Sequence, residues 1–396
     1  MVWECLYCIP DIVAISQICI NGSDVSYVEC SPQQDDLTQM IRYLFGVIIL
    51  IISIVGIFGN ITTLISVPCA ISRKRYGLNR NFKNTHIFIL YLSIMDLCFG
   101  IFCGLPCGLT SLLNVWPFGS ISCKTYALFE QTLPIAEHTA LLLISISRCF
   151  DLTNRKRWRK FSGKTSNLIL IFLASWLPSL PYILLYLIPS FELGAGWNCA
   201  ATRCTLMPTN EISQKNGLLA LNGLVWYGLV LSVIYLSVMC ISYVMIWSWV
   251  RKQTCYLKSF GNNTNQLQAR EFKMTRTILS LILFHGICSV PYLSYNALFI
   301  SDVIRKTNIN QDIFYVLQIL YHSQFCFNFV IYAGTNEQYQ KAYYACLHRK
   351  CCFNDKNKIK NSEENFTERK NTFSNRMSIF MRQFSGNQSK TFEVNT

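Results

Sequence analysis

The chain has 396 residues, of which 52% are hydrophobic and only 14% charged, and its formal net charge is +14. The apolar residues are gathered in blocks instead of alternating with charges, which excludes an ordinary soluble domain. With no such domain to carry the positive charge, nucleic-acid binding is excluded too.

Residues 1–41 contain no Lys or Arg but six acids, Glu4, Asp11, Asp24, Glu29, Asp35 and Asp36. An acidic segment attracts cations and leans towards a basic ligand. Asn21-Gly22-Ser23 is the sequon expected to carry sugar, and Cys5, Cys8, Cys19 and Cys30 allow three pairings into disulfides. Nothing in 1–20 reads as a secretory leader, so the first span is expected to do the targeting.

Apolar blocks follow at about 43–70, 85–112, 121–147, 166–190, 217–249, 275–301 and 311–334, each near the roughly 20 residues that a spanning helix needs. Each must be helical, because strand edges in hydrocarbon would leave amides unpaired. The expected fold is all-α: a seven-transmembrane helix bundle over 42–335 and a short amphipathic eighth helix over 336–350. Residues 351–396 are polar and aperiodic, which predicts a disordered tail.

The loops at 71–84, 148–165 and 250–276 and the tail after 335 carry five, seven, six and eleven Lys and Arg, 29 of the 35. Positive charge stays inside, so the tail is expected in the cytoplasm and residues 1–41 outside the cell. Trp158, among Arg155, Lys156, Arg157, Arg159 and Lys160, is expected at the membrane interface. On the outer side Cys123 opens the third span, while Cys199 and Cys204 lie in the loop after the fourth. A bond from either would tie that loop to the helix. Cys346, Cys351 and Cys352, beside His348, Arg349 and Lys350, are placed for palmitoylation against the inner leaflet.

Strongly polar residues within a span cost a few kcal/mol each, so those retained are functional candidates. Asn60 follows Gly59 in the first span, Asp96 lies in Leu92-Ser93-Ile94-Met95-Asp96-Leu97, and Asn328 opens Asn328-Phe329-Val330-Ile331-Tyr332. With Trp116-Pro117-Phe118-Gly119, Cys123, Arg148, Trp176 and Pro291, these residues resemble the pattern of the rhodopsin-like G-protein-coupled receptors over about 43–350. Ser175-Trp176-Leu177, Gly196-Trp197-Asn198 with Cys204, and Ile331-Tyr332-Ala333 before Asn336 and Tyr339 look like the invertebrate moody-type and melatonin-receptor-like branch. The resemblance implies a plasma-membrane receptor, not an enzyme, with an extracellular ligand and a heterotrimeric G protein and arrestin as partners. It assigns activation and G-protein coupling to Arg148, Pro291 and Tyr332.

Departures touch the family's moving parts. Ser147 replaces the acid of Asp-Arg-Tyr, which predicts a freer Arg148 and raised basal signalling or unusual coupling. Ser289 stands where the family has a tryptophan, and Phe329 replaces the proline of the seventh span, so any bend is expected from Pro291 or to be small. From these departures follows an alternative reading, a seven-helix receptor that binds partners without G-protein signalling.

Glu130, Glu137 and Arg148 share one helical face, seven and eleven residues apart. Glu130 lies seven residues after Cys123, where amine-binding members of the family carry a counter-ion, and it is either such a counter-ion or a polar pocket residue without that role; with Gln131, Tyr292, Tyr295 and Tyr321 it forms the expected ligand site. The resemblance puts Glu137 near the level where the family holds a sodium ion, beside Asp96 and Asn328, and two carboxylates there need a bound Na⁺ or a proton between them. The other reading is a protonated Glu137 bonded to His138, Gln324 or Asn328. His138 and His322 are read as hydrogen-bonded interior residues, not metal ligands. The tail's Ser374, Ser378, Ser385, Ser389 and Thr391 are candidate phosphorylation sites.

Overall fold

The computed structural model describes residues 36–72, 83–188, 193–198, 201–208, 214–259, 265–300 and 308–348. Asn21, Cys199, Cys351, Cys352, the N-terminal cysteines and the tail serines lie outside them. The helices are α1 (Asp36–Ser72), α2 (Lys83–Phe99), α3 (Leu105–Leu113), α4 (Ser120–Thr153), α5 (Arg155–Ser162), α6 (Thr165–Ala174), α7 (Leu180–Leu187), α8 (Gln214–Ser259), α9 (Asn265–Ile300), α10 (Asn308–Cys326), α11 (Asn328–Thr335) and α12 (Glu337–Leu347). An antiparallel hairpin, β1 (Leu193–Asn198) with β2 (Arg203–Pro208), follows α7.

Six spans, Gln39–Ala70, His86–Leu113, Ser120–Thr153, Ser166–Leu187, Leu219–Trp249 and Thr275–Leu298, are long and apolar enough to cross a membrane, and α10 with α11 makes a seventh. This is a multi-pass membrane protein. Its outward side chains are Ile51, Ile54, Phe58, Leu170, Leu173, Ile241, Val244 and Ile287, a surface suited to hydrocarbon and not to water. Asn60, Asp96, Glu130, Glu137, His138, His285 and Asn328 are buried instead.

Breaks in the spans have local causes. The second passes through a π turn, Gly100–Gly104, just ahead of Pro106, which has no amide hydrogen for the regular ladder. The fourth is interrupted by a 3-10 turn, Leu177–Ser179, around Pro178 and Pro181. The seventh bends by 57° between Cys326 and Asn328. That bend corrects the expectation of a small one without proline: Phe327 has left the helical region (φ −100°, ψ 3°), and the Asn328 side chain is drawn inward to Asp96. The loop at 148–165 is also more ordered than its charge suggests, since α4 runs to Thr153 and α5 follows at once. There Trp158 stacks on Phe150, ring centroids 6.1 Å apart.

Two apolar cores fill the bundle. One, nearer the hairpin, gathers Phe45, Phe99, Trp116, Tyr126, Trp197, Tyr292, Tyr315 and Tyr321. The other, nearer α12, gathers Phe88, Leu92, Leu141, Ile144, Tyr332, Tyr339 and Tyr343. The eighth helix, expected at 336–350, is α12; it docks through Tyr343 Oη, 2.9 Å from Thr63 Oγ1, and Tyr339 Oη, 2.7 Å from His86 Nδ1.

α1 closes against the seventh span at two glycines. A Cβ on Gly56 would sit 2.8 Å from Cys326 Cα, and one on Gly59 would overlap the Phe329 ring. The same approach lets Asn60 Nδ2 donate to Phe325 O at 3.2 Å. Gly56→Ala is expected to destabilise the protein by about 1–3 kcal/mol through forced displacement of packed backbone. Gly334→Ala, with nothing within 4 Å, serves as the control. Melting temperatures of the purified protein in detergent compare them; equal values for the two variants would show that this contact is not tight.

Candidate functional site

At the hairpin end of the bundle, Glu130 and Arg203 form a buried ion pair, Oε1 to Nη1 2.8 Å, with 3% and 4% of the residues exposed. Arg203 Nη2 donates to Tyr292 Oη at 2.6 Å, and the guanidinium lies 5.4 Å from the Phe314 ring centroid. Tyr292 stacks on Tyr321 at 4.3 Å, and Tyr295 lies 6.2 Å from Phe314. Gln131 is half-buried on the neighbouring position of α4 and outside this set of contacts.

The backbone of β2 fixes Arg203. Cys204 forms the disulfide with Cys123 at the head of α4, so of the two loop cysteines the bond goes to Cys204. On the other side Thr202, in the left-handed region at φ 52°, accepts on its carbonyl from Thr110 Oγ1 at 2.8 Å, and its hydroxyl lies 2.7 Å from Ser111 Oγ. Arg203 thus stands between an anchor on α3 and one on α4. Burial pulls its pKa down, but Glu130, Tyr292, Tyr126 and Cys107 around it outweigh that and hold it above its ordinary range, so the guanidinium stays charged. Glu130, named from the sequence as a ligand residue, thus faces a cation that comes from the chain itself.

A polar layer separates the two apolar cores. Asn328 Nδ2 donates to Asp96 Oδ2 at 2.8 Å and approaches Glu137 Oε1 at 3.4 Å, so the structure brings together the three residues grouped from the sequence. A fourth joins them: His285 Nε2 is 3.0 Å from Glu137 Oε1. His285 Nδ1 lies 2.9 Å from Leu281 O, a pure acceptor, so that nitrogen carries a hydrogen. One further proton must then sit between Glu137 and Nε2, as a neutral acid donating to imidazole or as imidazolium donating to carboxylate.

The neighbouring His138 is arranged alike, with Nδ1 2.6 Å from Pro134 O and Nε2 2.9 Å from Ser289 Oγ. Ser289 Oγ also lies 2.5 Å from Gln324 Oε1, so the serine in the tryptophan position sets one hydroxyl between α4 and α10. His322 Nδ1 is 2.9 Å from Gln318 O. Both histidines are hydrogen-bonded interior residues.

At the α12 end, Arg148 is buried at the close of α4, and Tyr332 is buried against Tyr339, ring centroids 5.6 Å apart. Asp151 Oδ2 lies 3.6 Å from Arg148 Nη1. The expectation that Ser147 leaves Arg148 without a carboxylate is corrected by this neighbour one turn further along the helix. Arg276 Nη2 donates to Thr335 O at 2.8 Å, tying α9 to α11 beside it. Pro291 lies within α9, one residue before Tyr292. Cys346 is half-buried on α12.

The description "7 transmembrane receptor (rhodopsin family)" matches residues 67–332 of the 396. The chain belongs to this family. The receptor is 26% identical over 324 residues to the histamine H2 receptor of Cavia porcellus, covering 78% of this chain and 80% of that one. It is 23% identical over 312 residues to the neuropeptide Y receptor type 6 of Mus musculus, covering 76% and 80%. Against the histamine H2 receptor of Canis lupus familiaris it is 26% identical over 337 residues, 82% of each chain.

Sequence reasoning missed three of the receptor's paired residues, Arg203, His285 and Asp151. His285 carried a signal, a strongly polar residue within an apolar span. Arg203 carried none, being one of six basic residues outside the inner loops and tail. If Glu137 and His285 act as a pair, their alanine variants are non-additive. In melting experiments the double variant is expected to recover about 1 kcal/mol of the summed losses, and strict additivity would mean that they do not interact.

Proposed function

We propose that this receptor binds an extracellular ligand, small molecule or peptide, at the hairpin end of the bundle and activates a heterotrimeric G protein at the α12 end. The observation that carries the reading is that α4 bears both ends of the device. Glu130 and Arg148 are eighteen positions apart on that helix, roughly 27 Å at its rise per residue, with the Glu137 layer between them. Relatives named for histamine and for neuropeptide Y show that one scaffold serves small and peptide ligands.

In this mechanism a ligand against Tyr292 and Tyr321 favours one arrangement of α9 and α10 relative to α4 and shifts a pre-existing equilibrium. The pairs Glu137–His285 and His138–Ser289 cross from α4 to α9, so the shift repacks the polar layer, where a Na⁺ or a proton between Asp96 and Glu137 would bias it. Opening at the far end separates α9 from α11, breaks Arg276 from Thr335 and frees Arg148 and Tyr332 for the G protein. The N-terminus lies outside, the basic loops inside at the plasma membrane, and the tail with palmitoylated Cys346, Cys351 and Cys352 meets arrestin and the inner leaflet. The narrower likeness to the moody-type and melatonin-receptor-like branch rests on the residues around Trp176, Trp197 and Tyr332.

Basal G-protein activation at matched surface expression tests coupling without a ligand. Asp151→Asn is expected to raise it severalfold by releasing Arg148, and Arg148→Ala, alone or with Asp151→Asn, to abolish it. Silence of wild type and Asp151→Asn towards every Gα class would overturn the coupling.

A further inference from the structure

Resting on the reading that ligands enter at the hairpin end, we infer that Arg203 is a built-in occupant of the cation subsite at Glu130. It makes the receptor selective for uncharged ligands that donate hydrogen bonds. The side chain is not an incidental loop contact. Its backbone is pinned on both flanks, by Thr202 on Thr110 and Ser111 and by Cys204 on Cys123, and its guanidinium meets a carboxylate, a phenol and an aromatic face at once.

Two consequences follow from charge. An ammonium ligand seeking Glu130 must evict a cation that is covalently tethered and therefore competes at an effective concentration on the order of millimolar. Eviction would also strand a buried guanidinium, while an anionic ligand taking Arg203 would strand the carboxylate. A ligand without net charge disturbs neither.

The polar atoms around the pair indicate what else such a ligand carries. Among the described residues the acceptors Glu130 Oε2, Gln318 Oε1 and His322 Nε2 have no hydrogen-bond partner, nor do the donor Arg203 Nε and the Tyr126 hydroxyl, while Arg203 Nη1 has only its ion pair with Glu130. Glu130 Oε2 and Gln318 Oε1 accept. Because His322 Nδ1 faces a carbonyl, Nε2 of the neutral ring accepts as well. Three acceptors against the one guanidinium donor call for a neutral ligand in which N–H or O–H donors predominate, and the stacked Tyr292 and Tyr321 beside Phe314 favour an aromatic frame.

The test uses purified full-length receptor and ligand-induced thermal shift, which is independent of G-protein coupling. Methylguanidine fits the space vacated in Arg203→Ala by construction. It and tyramine are expected to stabilise that variant at about tenfold lower concentration or less than any effect on wild type, and Glu130→Gln/Arg203→Ala is expected to lose the response. Should Arg203→Ala not be recovered folded, the uncharged Arg203→Gln is read against tyramine with the same expectation. Across a set of arylethylamines and their N-acetyl counterparts, wild-type binders are expected among the uncharged members. No gain in the folded variant, or an ammonium compound that binds wild type and loses binding in Glu130→Gln, overturns the inference.

Discussion

Inside a bilayer a charged or strongly polar group has no water to fall back on, and the interior of this receptor is arranged around that constraint. Asp96, Glu130 and Glu137 are all buried, and each carboxylate has a partner on another element: Asn328 for Asp96, Arg203 for Glu130, His285 and Asn328 for Glu137. These pairs fix which faces of α2, α4, α9 and α11 meet. Apolar packing alone leaves that choice weakly specified, because lipid tails are as apolar as the side chains they would be exchanged for.

The same constraint accounts for how the chain manages without two residues of the family pattern. A bend needs a break in the helical ladder, and here the pull of Asn328 towards Asp96 accompanies the break at Phe327 with no proline in the span. Where a tryptophan would pack, Ser289 sets a hydroxyl between His138 and Gln324. Polar contacts across α4, α9 and α10 thus stand where steric ones would, and they are directional, so a small displacement of α9 exchanges partners instead of merely loosening the packing.

Much of the fold was legible from composition. The seven apolar blocks match the seven spans, because the hydrocarbon thickness sets a length and backbone satisfaction leaves only helices. The grouping of Asp96, Glu137 and Asn328 was legible through the family pattern, which puts the three at one level, where buried polar side chains need each other as partners. The hairpin was not. Its strands are short, and its place over the bundle depends on a disulfide for which two cysteines were eligible and on Thr202 seating against α3.

What the sequence determined by itself is what local rules govern: length and periodicity place each helix, and the retained polar residues mark the faces turned inward. What only the tertiary structure decided is who meets whom across those faces. Glu130 reads the same in sequence whether its cation is a ligand or Arg203, for the two residues are separated by the whole of the fourth span and a hairpin. Their meeting follows from where Cys204 and Thr202 hold the loop. Periodicity within an element says nothing about contacts between elements so far apart in the chain, and in this receptor those contacts set the charge of the site.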